Sequence, residues 1–258
     1  MRNALHLGKK DLYSYFHSWM GVIVVTFFFL IAGLFFSFLV MNYSKISMDA
    51  AQEGYQNVQG LGLTRFVFGS FFLNMASVLI FLVPILSMRA FSEERRQGTL
   101  ELLFTYPFSD VEIVMGKFFG LGWFLKLLLS PTLVFVILMH AAGGKLDWAP
   151  IAAGYVGFWL LANAYLSLGL FISAISENQV VSAIVTFGLL IIFWVLDWAT
   201  SVAGGTLRSV LIALSPLGHY QDFTIGILDL SNIVYFCFFS LFFLFLSLRA
   251  IETRNWKA

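Results

Sequence analysis

The densest group of charged side chains in the sequence lies between two long apolar runs, in the stretch FSEERRQGTLELLFTYPFSDVEIVMGKFF, residues 91–119. Its charges are of both signs and close together: Glu93, Glu94, Arg95, Arg96 and Glu101. Leu100, Leu103 and Phe104 follow helical spacing and form a small apolar face beside them. This combination is typical of a surface that docks on a partner protein. A solvated loop whose apolar face rests on the rest of the protein has the same pattern, and both interpretations remain open.

The other reactive residue types form no catalytic or metal-binding pattern. Cys237 is the only cysteine and lies in an apolar run. The histidines lack metal-ligand spacing: His6, His17, His140 and His219. Three aspartates near His219 and Tyr220 are interpreted as solvated ends of short helices, with a metal or proton site as the alternative: Asp197, Asp222 and Asp229. The sequence therefore predicts no catalytic residue and no metal ligand.

Polar residues also recur on single helical faces inside the apolar runs. These residues are candidates for lining a translocation path: Ser70, Asn74, Ser77, Lys126, Asn163 and Ser167. Their alternative role is hydrogen bonding between packed membrane helices. Lys126 lies about eight residues into such a run, where a charge by default indicates function or an internal partner. Its long stem could instead carry the ammonium toward the lipid headgroups.

The elements that position these residues must be membrane-spanning. The chain has 258 residues, of which 60% are hydrophobic and 11% charged, and soluble domains carry about 25% charge. The mean hydropathy is +0.88. A net charge of +1 gives no indication of a nucleic-acid partner. The apolar runs do not alternate with polar residues, so helices rather than barrel strands are predicted.

Runs of about 20 apolar residues are long enough for a helix to cross a bilayer. The sequence predicts an all-α membrane protein that forms a single domain over residues 1–258, with six spans at about 20–41, 66–88, 118–139, 150–173, 179–198 and 232–250. An amphipathic interfacial helix is expected before the first span. LRSVLIAL and FTIGILDL are expected to form short helices between spans 5 and 6.

Lys and Arg residues favour the cytoplasmic ends of spans. With both termini in the cytoplasm, ten of them lie on that side: Arg2, Lys9, Lys10, Arg89, Arg95, Arg96, Lys117, Arg249, Arg254 and Lys257. Four lie on the other side: Lys45, Arg65, Lys145 and Arg208. The predicted topology therefore has cytoplasmic N- and C-termini, and residues 89–117 form a cytoplasmic connection between spans 2 and 3.

Local signals divide this connection into two helices. Ser92 is expected to cap a helix that continues through residue 105 and stops before Pro107, because proline disfavours helix in the residue before it. Ser109 and Glu112 have the spacing of a capping box, which predicts a second helix that continues into span 3. Gly98 falls inside the first helix, where a partner's close approach or a kink would explain it.

The stretch FSEERRQGTLELLFTYPFSDVEIVMGK resembles the cytoplasmic loop of type-2 ABC exporter permeases, and the gliding-motility-associated branch above all. The charged N-terminus, six spans and long loop before span 6 extend the resemblance over essentially the whole chain. In that family the loop carries a coupling helix, which sits in a groove of a separate ATP-binding subunit. The resemblance implies an ATPase contact formed by Glu93, Glu94, Arg95, Arg96, Gly98, Thr99 and Glu101.

The chain contains no G-x-x-x-x-G-K-[ST] phosphate-binding motif, so it is not predicted to be an enzyme or to hold a cofactor itself. The resemblance implies ATP and Mg on two partner ATPase subunits, a second permease copy or paralogue, and location in the bacterial inner membrane. Membrane lipid and an extracytoplasmic accessory protein are further candidate partners. The predicted function is the permease subunit of an ATP-driven exporter. The alternative is a membrane scaffold that recruits a cytoplasmic protein without transport.

Overall fold

The computed structural model describes residues 2–52, 62–96, 98, 109–200 and 202–255. Every regular element in these ranges is helical, which confirms the all-α prediction. The helices in chain order are α1 (Arg2–His17), α2 (Trp19–Gln52), α3 (Ser70–Ser87), α4 (Ser92–Arg96), α5 (Asp110–Leu129), α6 (Leu133–Ala141), α7 (Trp148–Ile175), α8 (Gln179–Thr200), α9 (Gly205–Leu214), α10 (Pro216–Thr224) and α11 (Leu230–Asn255). A π-helical turn, Thr64–Gly69, leads into α3.

Six helical segments of the described chain are long and apolar enough to cross a membrane, as predicted. They are Trp19–Asp49, Thr64–Glu94, Asp110–Ala141, Trp148–Ile175, Gln179–Thr200 and Leu230–Thr253. Each predicted span lies inside one of these segments. The third segment begins eight residues before the predicted Phe118, since the helix that starts at the Ser109 cap continues without a break into the span.

Helix α7 is the centre of the bundle. In the span Trp148–Ile175, 78% of the apolar 18-residue stretch is buried inside the bundle. In the span Gln179–Thr200, the corresponding share is 17%. Helices α3, α5, α8, α10 and α11 all pack against α7. Its inward positions are filled by Leu161, Ala164, Leu166 and Leu168, none of which is exposed. Displacement of α7 would therefore move most of the other helices.

The third span is broken at Pro131, in a 3₁₀ turn (Ser130–Thr132) between α5 and α6. Proline has no N–H and cannot bond to the carbonyl of Leu127, one turn earlier. The Ser130 hydroxyl donates to that carbonyl instead, at 2.9 Å. Thr132 Oγ1 donates to the Leu129 carbonyl at 2.7 Å and lies 2.9 Å from Tyr155 Oη on α7. The break is thus hydrogen-bonded and attached to the central helix.

The predicted N-terminal helix exists as α1, and it packs along α5. A Cβ atom at Gly8 would lie 2.9 Å from the Gly116 carbonyl oxygen and 3.2 Å from the Gly120 nitrogen, so only glycine allows this approach. Further along α1, the Tyr15 ring lies 5.7 Å from that of Phe124. The two helices therefore run side by side over about two turns. An orientation of α1 in the membrane interface stays a prediction.

Two short helices connect the fifth and sixth spans. LRSVLIAL lies within α9, as predicted, but the second helix is α10, residues 216–224, and FTIGILDL is mostly non-helical. Pro216 follows the end of α9 and begins α10, because the first helical position needs no N–H donor. The Ser215 hydroxyl caps α10 by accepting from the Gly218 N–H at 3.0 Å.

Candidate functional site

The connection after span 2, predicted to be cytoplasmic, begins with α4, a helix of five residues that starts at the predicted Ser92. The hydroxyl of Ser92 does not act as the predicted cap but donates to the carbonyl of Met88, one turn earlier. The backbone N–H groups of Phe91 and Ser92 donate to Ser173 Oγ at 3.0 and 3.3 Å. The Ser173 hydroxyl donates in turn to the Met88 carbonyl at 3.3 Å.

Ser173 therefore joins the end of span 2 to α7. Its side chain is fully buried, near the C-terminal end of the central helix. Backbone N–H groups at the start of a helix have no partner within the helix and must find one elsewhere. One hydroxyl oxygen serves two of them here. The sequence pattern did not identify this role, because the residues are more than 80 positions apart.

The two acidic residues of α4 point back to the membrane domain. Glu94 Oε1 lies 2.7 Å from Nζ of Lys117 on α5, with side-chain exposures of 24% and 5%. The same ammonium lies 5.2 Å from the centre of the Phe91 ring. Glu93 pairs with Arg89 at 3.3 Å, and both of these side chains are about one-third exposed. Glu93 and Glu94, predicted to contact the ATPase, thus have charged partners within the chain.

Gly98 contradicts the prediction of one continuous helix from Ser92 to residue 105. Its φ of +67° is left-handed, so the right-handed helix cannot pass through it. A left-handed glycine just beyond the last helical residue is a common helix end. Arg96 and Gly98 are exposed. The predicted contacts Thr99 and Glu101, the side chain of Arg95, the apolar face (Leu100, Leu103, Phe104) and the stop at Pro107 lie outside the described residues.

The predicted capping box at the start of α5 is confirmed. Ser109 Oγ accepts from the Glu112 N–H at 3.3 Å, and Glu112 Oε2 accepts from the Ser109 N–H at 3.4 Å. The first turn of α5 also carries Asp110, so negative charge lies at the positive end of the helix dipole. The start of span 3 is therefore well defined, seven residues before Lys117.

Most of the polar residues proposed for a path bond to their own helices. Asn74 Nδ2 donates to the Ser70 carbonyl at 2.8 Å, and Ser77 Oγ donates to the Leu73 carbonyl at 3.5 Å. The fully buried Ser167 donates to the Ala164 carbonyl at 2.7 Å. Hydroxyl and amide groups in apolar surroundings need such partners. The side chains of Asn74, Ser77 and Ser167 thus have partners on their own helices. Neither these three residues nor Ser70 line the cavities described below.

Lys126 and Asn163 do share a cavity. It has a volume of about 530 Å³ and lies between α5, α7 and α11. A second cavity of about 550 Å³ shares Lys126 and Trp159 with the first and extends along α6 and α7. Asn163 is 7% exposed, and its Nδ2 donates to the Trp159 carbonyl at 2.7 Å. Lys126 is exposed, and its Nζ lies 5.0 Å from the centre of the Trp123 ring.

Three aspartates, one near the end of span 5 and two beyond it, hold short helices in place. Asp197 accepts from Ser215 Oγ at 3.2 Å and from Gln221 Nε2 at 3.3 Å. Asn232 donates to Asp222 at 2.8 Å and lies 2.7 Å from Nδ1 of His219. Asp229 accepts from the Ser231 N–H at 3.0 Å, at the start of α11. Within the described ranges no three His, Cys, Asp or Glu side chains could hold one metal ion.

The arrangement is suited to mechanical contact rather than to bond chemistry. A short charged helix is attached at its start to α7 by Ser173 and along its side to α5 by Lys117. A family model described as ABC-2 family transporter protein matches residues 5–251. The chain belongs to the ABC-2 family.

An ABC-2 protein is the permease subunit of an ABC transporter and works with an ABC ATPase subunit. Together with the six apolar helices, this makes the chain a multi-pass membrane protein. A search of curated proteins finds no match to the chain. The family match covers the whole helical bundle, from α1 to the C-terminal part of α11.

Proposed function

We propose that the chain is the permease half of an ATP-driven exporter of the inner membrane, and that the connection after span 2 receives the motion of the ATPase. ATP and Mg bind to two partner ATPase subunits, and a second permease copy or paralogue completes the transporter. Both termini and the connection lie in the cytoplasm. The loop motif supports assignment to the gliding-motility-associated branch.

The observation that carries this proposal is the double attachment of α4. Glu94 pairs with Lys117 of α5 at 2.7 Å, and the backbone of Phe91 and Ser92 bonds to Ser173 of α7. A load applied to α4 is thereby passed to spans 3 and 4 as well as to span 2, of which α4 is the direct continuation.

The contacts divide the predicted coupling residues into two groups. Glu93 and Glu94 transmit motion inside the permease, since their carboxylates face Arg89 and Lys117. Arg96 and Gly98 are exposed and remain proposed contacts of the ATPase, together with Arg95, Thr99 and Glu101. A buried or half-buried ion pair resists displacement more strongly than an exposed one, because separating it leaves a charge without solvent.

The test is reversal of the ion pair in the permease co-purified with its ATPase and reconstituted in liposomes. Glu94→Lys and Lys117→Glu should each lower permease-dependent ATPase stimulation several-fold, and the double reversal should restore most of it. Glu252→Lys is the matched control, because Arg249 and Glu252 also lie 2.7 Å apart but with exposures of 61% and 34%. Full stimulation in both single variants would contradict the transmission role.

A second measurement locates the ATPase contact without disturbing the ion pair. In a Cys237→Ala background, Arg96→Cys introduces one exposed thiol at the end of α4. Its alkylation should slow when the ATPase is bound, whereas a cysteine at Lys45, on α2 and predicted to lie outside, should react at the same rate with and without ATPase. If the ATPase binds but is not stimulated by the permease, and nucleotide does not change protection of the thiol, the scaffold alternative would be favoured.

A further inference from the structure

A continuous lateral groove runs along one side of the bundle, between α5–α6 on one wall and α7 and α11 on the other. It consists of three adjoining cavities of about 190, 530 and 550 Å³. The first and second share Met115, Leu241 and Leu244, and the second and third share Lys126 and Trp159. From Val111 to Val136 the groove follows about 35–40 Å of helix, which exceeds the hydrocarbon thickness of a bilayer, about 30 Å.

The lining of this lateral groove is apolar with one charge. Phe118, Phe119, Trp123 and Trp159 are prominent in the middle cavity. Lys126 is the only charged residue that lines any of the three cavities among the residues described. A cation in such surroundings by default indicates a functional contact. The nearby Trp123 ring attracts the ammonium but leaves its charge uncompensated.

The ammonium is directed toward the cytoplasmic half of the groove. Lys126 follows Lys117 by nine residues, about 13 Å along the helix. Its Nζ lies over the ring of Trp123, one turn back toward the cytoplasmic end of α5. A lysine stem that bends in this way brings its charge toward the headgroup region. An anion of the cytoplasmic leaflet could therefore approach the Lys126 ammonium from the cytoplasmic side of the groove.

The described part of the chain offers no carboxylate at the depth of Lys126. In the described ranges every carboxylate that belongs to a span lies near an end of it: Asp49, Glu93, Glu94, Asp110, Glu112, Asp197 and Glu252. No carboxylate lies at the middle of a span, where Lys126 is found. Acidic phospholipids supply what the chain lacks, because each combines an anionic phosphate with apolar chains.

We propose that the lateral groove binds an acidic membrane phospholipid, with its phosphate on Lys126 and one acyl chain along the aromatic wall. Asn163 and Ser240 line the same cavity and offer polar contacts to the headgroup. Gly122 lets the Asn163 side chain approach α5 closely, because a Cβ there would lie 2.7 Å from Asn163 Oδ1. The cavities fall within the 300–1,000 Å³ typical of ligand sites. The site does not depend on export, but the choice of the cytoplasmic leaflet rests on the proposed orientation.

The experiment measures lipid binding to the purified full-length chain by native mass spectrometry, with phosphatidylglycerol and phosphatidylcholine as probes. The wild type should prefer phosphatidylglycerol about fivefold, the preference expected for one lysine near a membrane surface. Lys126→Met should abolish the preference and Lys126→Arg should keep it. Lys45→Met is the matched control, since Lys45 is an exposed lysine of α2 outside the groove and should leave the preference unchanged.

Alkylation of Cys237 can report where the lipid binds. Cys237 is exposed and lines the middle cavity, so its alkylation by N-ethylmaleimide should slow when phosphatidylglycerol is added. Cys237→Trp should narrow the cavity and weaken binding of both lipids while leaving the melting temperature nearly unchanged. A phosphatidylglycerol preference that survives Lys126→Met, or a thiol that the lipid does not protect, would overturn the proposal. The proposal would also be overturned if the chain formed dimers in which a second copy, and no lipid, covers Lys126.

Discussion

Replacement of Gly8 by alanine tests the packing of α1 on α5. The added Cβ would lie 2.9 Å from the Gly116 carbonyl oxygen and 3.2 Å from the Gly120 nitrogen, where ordinary contacts begin at 3.4 Å. Both atoms belong to the backbone of α5 and cannot rotate away. Helix α1 must therefore move outward by about half an ångström at this point, as expected for overpacking of a closely packed core.

The magnitude follows from two opposing effects. Alanine stabilises a helix interior by about 1 kcal/mol relative to glycine. Overpacking destabilises by about 1–3 kcal/mol. Gly33 provides the control, because it lies inside α2 and a Cβ there meets nothing within 4 Å. Gly33→Ala should therefore stabilise the protein, whereas Gly8→Ala should be neutral to destabilising, and the two variants should differ by about 1–3 kcal/mol.

The assay is unfolding of the purified protein in detergent, followed by tryptophan fluorescence. Gly8→Leu should destabilise more than Gly8→Ala, since its side chain cannot be accommodated by a small shift of α1. The Tyr15 hydroxyl bond to the Leu86 carbonyl, 3.1 Å long, should weaken with it. Equal and stabilising shifts for Gly8→Ala and Gly33→Ala would refute the close helix contact.

Three further substitutions probe single polar groups. Ser173→Ala should destabilise the protein by about 2 kcal/mol, because the backbone N–H groups at the start of α4 lose their acceptor, and the equally buried Ser167→Ala should do less; urea unfolding compares the two. Tyr220→Phe should leave the melting temperature unchanged or raise it, since this buried phenol has no partner among the described residues and burial raises its pKa; a lower melting temperature would contradict this. Ser130→Ala should speed amide hydrogen exchange at the span 3 break, because the Leu127 carbonyl loses its donor; unchanged exchange would argue against that role.

Local patterns predicted the elements of this fold well. The six apolar runs and the Ser109–Glu112 capping box depend on residues close together in sequence, and all are present. The break at Pro131 was missed although its signal is local: a proline directly after serine inside an apolar run. The end of α4 was also mispredicted, because Gly98 was interpreted as a helix interior position when it adopts a left-handed conformation.

The contacts that make up the site could not be predicted from one sequence. The Glu94–Lys117 pair joins residues 23 positions apart, and the Ser173 contact joins residues more than 80 apart. Both depend on how α5 and α7 pack, which periodicity does not specify. Lys117 could have been identified as a candidate partner, because it is the lysine that ends the loop motif. Ser173 carried none, since a serine in an apolar run is equally compatible with bonding to its own helix.

The break at Pro131 makes α5 a lever with its pivot on the central helix. The arm is the whole of α5, 20 residues or about 30 Å, and Thr132 fixes the pivot to Tyr155. Glu94 meets this arm at Lys117 and Gly8 meets it between Gly116 and Gly120, so both contacts act on its N-terminal half and middle, away from the pivot. A displacement of about 3 Å at Lys117, which lies about 22 Å of helix from the pivot, corresponds to a rotation of about 8°. Helix α6 could thus stay in place while α5 swings.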